Sequence, residues 1–236
     1  SQNYIGRTGE TYNFLTDEEQ DIQREIRNTS VDTAAIVERI GHMIFGDVYT
    51  TKKYRYSRYD FPFDQMVDGK EVGAATGGMR LRFLTVATDA VEKSELRLMA
   101  DSKGQAIVVL SELPYYESLE SAMKIRKYVK QRNVAQLPKS VQDIIRNQQE
   151  EASKCELTAE LKKAIVAGTY YVDGEHVEIK GGDAKSKIDQ ALEYLVSHVY
   201  SELDLIAENA ESDADILAIL SGEKTMIPGA EPNRDA

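Results

Sequence analysis

The chain has one cysteine, no tryptophan, three histidines and five prolines in 236 residues. A lone thiol, Cys155, excludes an internal disulfide and any cysteine-cluster zinc site. His42, His176 and His198 stand far apart, and none has a histidine or cysteine three or four residues away. Glu202, four residues after His198, reads as an exposed helix contact. No serine elbow, internal repeat or low-complexity tract occurs. No apolar run approaches the ~20 residues of a membrane span. The N-terminal SQNYIGRTGETYNF lacks the basic and apolar regions of a signal peptide. With a single cysteine and no export signal, the expected location is the reducing cytoplasm.

What is present is charge, unevenly spread. The net charge is −11, which disfavours indiscriminate binding to polyanions. Residues 51–150, however, hold 17 Lys/Arg against 13 Asp/Glu, a surplus of +4, while the other 136 residues hold 12 against 27, or −15. A polyanion is therefore admitted at the middle of the chain and repelled by its flanks.

The periodicity predicts an α+β protein with a small mixed or antiparallel sheet, flanking helices, and then a helical region carrying a β-hairpin. Thr16 and Glu19 have capping-box spacing and open a helix with Ile22 and Ile26 on one face. A second helix over about Val31–Phe45 aligns Ile36, Ile40 and Ile44. The segments TKKYRYSRYDFPF, GGMRLRFLTVAT, SELRLMAD and GQAIVVLSEL read as four strands, with Ile107–Leu110 buried at the centre. Helices follow from Pro114 to Gly168, with a polar stretch from Asn147 to Lys154 suited to solvent or a partner. Asp173-Gly174 between two alternating runs marks a hairpin, and a long helix begins at about Ala184. The expected organisation is a sheet-bearing part over residues 1–112, a helical part over 113–221 with its hairpin near 169–180, and a disordered tail at 222–236. Both ends read as cuts through a longer protein.

Two glycine-rich stretches invite a nucleotide-binding reading. In VEIKGGDAKSKI, a phosphate loop ending on Lys185-Ser186 requires glycine at positions 179 and 184, which are Ile179 and Ala184. Gly181 and Gly182 are misplaced for a cradle, so the stretch reads as a strand-to-helix turn with Asp183 as helix cap. Residues 73–80, GAATGGMR, contain no lysine and lead into a strand, without the helix N-terminus that would face an anion. Their expected use is a flexible hairpin tip.

The strongest surface pattern is cationic. In KKYRYSRY, alternation places Lys53 and Arg55 on one face and Tyr54 and Tyr56 on the other; MRLR repeats it with Arg80 and Arg82. If the two strands pair, four cations line one sheet face, with Arg58 and Tyr59 at its margin, and nucleic-acid phosphates suit such a face. The competing reading is a charged outer face that prevents edge aggregation.

In segment order, YNFLTDEEQDIQREIRNT, IFGDVY, KYRYSRYDFPFDQMVDG, IVVLSELPYYESLESAMKIRKYV, LPKSVQDIIRNQQEE and AGTYYVDGEHVEIKGGDAKSKIDQALEYLVSHVYSEL resemble the BrxC/PglY-type P-loop ATPases of bacteriophage exclusion (BREX) systems. The resemblance spans about residues 10–205, outside the family's ATP-binding core. It implies a cytoplasmic phage-defence assembly, with the ATPase's other domains and complex proteins as partners and DNA as a further candidate. ATP and magnesium are implied for the parent protein only, and no cofactor for this segment. No catalytic residue carries over. The expected function is a non-catalytic interaction segment. The alternatives are a nucleotide-binding or enzymatic module at 73–80 or 181–186, and a structural spacer.

Overall fold

Short β-forming segments, alternating runs such as Met79–Leu84 beside the continuously apolar Ala106–Val108, are separated by turns and amphipathic helices and bury themselves by sharing a sheet. The computed structural model of the protein describes residues 5–8, 11–14, 16–151 and 154–199. Strands β1 (Ile5–Thr8) and β2 (Thr11–Phe14) pair antiparallel as a separate two-stranded sheet. Helix α1 (Asp17–Asn28) starts at the capping box expected for it: Glu19 N donates to Thr16 Oγ1 at 3.3 Å, and Thr16 N donates to Glu19 Oε2 at 2.8 Å. Helix α2 (Thr33–Met43) is capped by Asp32, whose carboxylate accepts from Ala34 N at 3.0 Å. A single wide turn over Ile44–Val48 ends it, closed by Tyr49 N donating to Ile44 O at 2.7 Å. Ile36, Ile40 and Ile44 are all buried, as their spacing predicts.

The main sheet contains β3 (Lys53–Tyr56), β4 (Tyr59–Val67), β5 (Lys70–Glu71), β6 (Met79–Leu84), β7 (Gln105–Val109), β8 (Thr169–Val172) and β9 (Glu175–Val177). Six of them run in the order β3-β4-β6-β7-β8-β9, with β5 attached to β4. The trio β4, β6 and β7 is parallel; β3, β8 and β9 join antiparallel. The sheet is thus mixed, and β7 is central, as the apolar run at 107–110 predicts. Helix α3 (Glu95–Asp101) precedes β7, and α4 (Tyr115–Gln131), α5 (Lys139–Glu151) and α6 (Lys154–Val166) follow it. Helix α7 (Ala184–Val199) follows β9. The hairpin at Asp173-Gly174 forms as expected, both residues at positive φ, and it extends the sheet beyond β7. The tail at 222–236 lies outside the described residues.

Three readings of local structure differ from the expectation. TKKYRYSRYDFPF is two strands, because Ser57 takes φ +55 and turns the chain between Tyr56 and Tyr59. SELRLMAD is helical over Glu95–Asp101: of its two alternating leucines, Leu98 is buried and Leu96 is 84% exposed. Residues 73–78 are not a hairpin tip, since β5 and β6, which they link, do not pair with each other: β5 pairs antiparallel and β6 parallel with β4.

One sheet face carries the helix layer. Phe63, Leu81, Phe83, Val108, Tyr170 and Val172 meet apolar side chains of α2, α4, α6 and α7 in a single core. On the opposite face, among the described residues, helix α3 packs with Leu98 against Leu84, Ile107 and Tyr171. A third cluster joins Ile26 of α1 to Ile125 and Tyr128 of α4 and Val141 and Ile145 of α5.

Buried phenols make the fold sensitive to alkali. Burial raises the pKa of Tyr49, Tyr115 and Tyr170, while Tyr54 is pushed up to about 12 by burial and then by Glu193 and Asp189. A group that holds its proton more tightly when folded contributes stability below its unfolded pKa, and that contribution is lost as pH rises through the folded value. Thermal melts are therefore expected to hold steady to about pH 10, the ordinary phenol value, and to fall steeply above it.

Candidate functional site

Alternation along β3 and β6 decides where the cations point. Tyr54 and Tyr56 of β3, and Met79, Leu81 and Phe83 of β6, belong to the core, so Lys53, Arg55, Arg80 and Arg82 project from the opposite face. The four expected residues do share a face. Their strands do not pair, however, because β4 runs between them. It contributes Asp60 opposite Arg55 and Asp64 opposite Arg80.

The two aspartates behave differently. Asp60 is accessible and accepts from Arg55 Nη1 at 3.0 Å, an ion pair across the ribbon. Asp64 is 6% exposed and turned to the loop before β6, where Thr76 Oγ1 donates to it at 2.8 Å. Gly78 closes this loop against β4: a Cβ there would collide with the carbonyl of Pro62. Lys53 and Arg80 are exposed and carry no ion pair among the described residues. Arg82 is half-buried, its Nε without a hydrogen-bond partner among the described residues. Arg58 sits at the β3–β4 turn, its guanidinium 5.1 Å from the Tyr59 ring centre and its Nε donating to the Tyr59 hydroxyl at 2.7 Å. Alternation alone located the cations, whereas Asp60 and Asp64 entered the face through strand order, which no local pattern gives.

The glycine stretches have other uses. Asp183 caps α7, its carboxylate accepting from Ser186 N at 3.0 Å, so the helix N-terminus is filled by the chain's own anion. Lys185 is bonded to Asp189, and Lys187 Nζ donates to Val166 O at 2.7 Å, which closes the end of α6. A separate cleft of about 610 Å³ lies between α4, α5 and α6, floored by Ile125 and Leu157 and rimmed by Glu117, Glu160 and Lys163. The oxygens Gln148 Oε1 and Glu160 Oε2 at this cleft are buried without a donor among the described residues. It borders the polar stretch that the sequence assigned to solvent or a partner. Among the described residues there is no metal-holding cluster and no helix long and apolar enough to cross a membrane.

A mixed sheet of six consecutively paired strands, with helices layered on one face and cations on the other, defines the α+β domain that the periodicity predicts. Residues 29–195 match the family described as the BREX ATP-binding protein BrxC 4th domain with six-stranded beta sheet, and the chain belongs to that family. It is thus part of a BrxC-type protein of BREX phage defence, as the resemblance in its sequence implied. No solved structure matches the chain.

Proposed function

We propose that this domain is a non-catalytic interaction module of a BrxC-type protein, and that it contacts DNA through the open half of its sheet. The observation that carries the reading is the shared, outward placement of Lys53, Arg55, Arg80 and Arg82 on the face that, among the described residues, only α3 covers. A flat row of cations on rigid strands positions phosphates without reading sequence. Nucleotide chemistry belongs to other domains in this reading: Lys185 is engaged by Asp189 and the α7 N-terminus by Asp183. ATP and magnesium are accordingly assigned to the parent's core. The cleft between α4, α5 and α6, with two acceptors that lack donors among the described residues, supports contacts with protein partners.

Duplex binding should weaken with salt at a log–log slope of about −3 to −4 if each of the four cations neutralises one phosphate. Changing Arg55, Arg80 and Arg82 together to Gln, which removes the charge without setting a carboxylate against Asp60 or Asp64, should weaken binding severely in a fluorescence-anisotropy titration. Binding unchanged by this triple substitution would remove the sheet face from consideration. Adding ATP and magnesium should leave the melting temperature unchanged; a clear upward shift would favour a nucleotide-binding module instead.

A further inference from the structure

The β3–β4 hairpin outruns the body of the sheet. Strand β6 pairs with β4 only over Phe63–Val67, and over Tyr59–Pro62 the sole strand partner among the described residues is β3. The result is a two-stranded ribbon of four residue pairs, about 13 Å long at the usual rise per residue. Its inner face is held: Tyr54, Tyr56 and Tyr59 pack on the core, and α7 lies against β3. Its outer face presents Lys53, Arg55, Asp60 and Pro62, with Arg58 at the turn.

Asp60 is the informative residue. On a surface meant for phosphates alone, an accessible carboxylate weakens binding. Yet Asp60 stands directly across from Arg55, and the two are joined at 3.0 Å with both side chains open to solvent. Together they offer donors and an acceptor side by side. That combination matches the major-groove edge of a G·C pair, where guanine N7 and O6 accept and cytosine N4 donates. The major groove, about 12 Å wide, admits a two-stranded ribbon. Arg58 is pre-positioned on Tyr59 and so loses little freedom on meeting a phosphate at the groove wall.

We infer that the ribbon Lys53–Pro62 enters the major groove of duplex DNA, with the Arg55–Asp60 pair facing base edges and favouring G·C. This rests on the reading that the open sheet face meets DNA, and it adds which element enters which groove and what it reads. Arg80 and Arg82, set back on β6, serve the adjoining phosphates.

The test is anisotropy of the full chain with short G·C-rich and A·T-rich duplexes, in the presence of methyl green to occupy the major groove or netropsin to occupy the minor groove. Methyl green should displace the protein and netropsin should not. Asp60→Asn removes a negative charge and barely changes shape, so the two readings predict opposite behaviour. A phosphate-only surface would bind both duplexes more tightly. Groove reading instead predicts that preference for the G·C-rich duplex falls by about tenfold without general tightening, the discrimination expected of one good base contact. Arg58→Ala should weaken both duplexes alike. Uniform tightening by Asp60→Asn, or displacement by netropsin alone, overturns the inference. If the change of Arg80 and Arg82 to Gln weakens binding severely while methyl green and Asp60→Asn have no effect, the DNA reading stands and the ribbon's role falls. If the unaltered chain binds neither duplex at low salt, both fall.

Discussion

Replacing Phe83 by alanine is expected to destabilise the domain by about 3–5 kcal/mol, the usual cost of deleting a buried aromatic ring. Phe83 is fully buried on β6, between Val67 of β4 and Val108 of β7, and meets Phe45 edge-to-face at 5.5 Å. It touches the sheet's two parallel neighbours and the helix layer at once, so no single element can shift to fill the space. A loss of that size is a large share of the roughly 5–15 kcal/mol that domains possess. The measurement is a urea titration, in which the midpoint should fall steeply while the slope stays constant. Leu96→Ala, which removes an apolar side chain that is 84% exposed, should move the midpoint hardly at all. Equal effects at the two sites would mean that the parallel strands do not carry the core.

Asp68→Ala is the second large expectation, and its mechanism is polar. Asp68 follows β4 at φ +46 and ties that strand to the loop after β6. Its carboxylate accepts from Thr85 N at 2.7 Å, from Thr88 Oγ1 at 2.6 Å, and from Thr85 Oγ1. Thr85 is 1% exposed and Thr88 is 7% exposed, so removing the acceptor strands donors that water does not reach. Each such donor costs about 1–3 kcal/mol, and the sum should be about 3 kcal/mol or more. Replacing both partners is cheaper than replacing one, because the two hydroxyl donors go with their acceptor; the backbone donors Thr85 N and Ala87 N still lose theirs, so rescue is partial. Adding Thr85→Val and Thr88→Val to the Asp68→Ala chain should therefore recover part of the loss. A triple variant as unstable as the sum of its single changes would show that the clamp is not a unit.

Most of what was legible in the sequence was local. The capping box at Thr16, the Asp173-Gly174 turn, the Asp183 cap and the segregation of Lys53 and Arg55 from Tyr54 and Tyr56 each depend on residues within a few positions of one another. Two errors arose where a local signal was weak or ambiguous. Ser57-Arg58 turns the chain without the Asn-Gly or Asp-Gly that usually announces a two-residue hairpin, so two strands read as one. In SELRLMAD, the leucines two apart imitate a half-buried strand, although only one of them is buried. Strand order was not legible at all. The insertion of β4 between the two cationic strands brings Asp60 and Asp64 onto the candidate face, and it changes that face from a plain cation row into a row with an acceptor at its centre.

The placement of β8 beside β7 has a consequence for how the protein is made. Val109 pairs with Thr169, its partner 60 residues later in the chain. At ribosomal rates of ~5–20 residues per second, the apolar run Ala106–Val108 emerges several seconds before the strand that covers its edge. In that interval the nascent chain presents an open, strongly β-forming edge, the kind of surface on which neighbouring polypeptides nucleate. A release of synthesis anywhere between Leu110 and Gly168 would leave that edge uncovered for good. Such truncated chains should collect in inclusion bodies, whereas a chain that includes β8 and β9 escapes once the Asp173-Gly174 hairpin folds back.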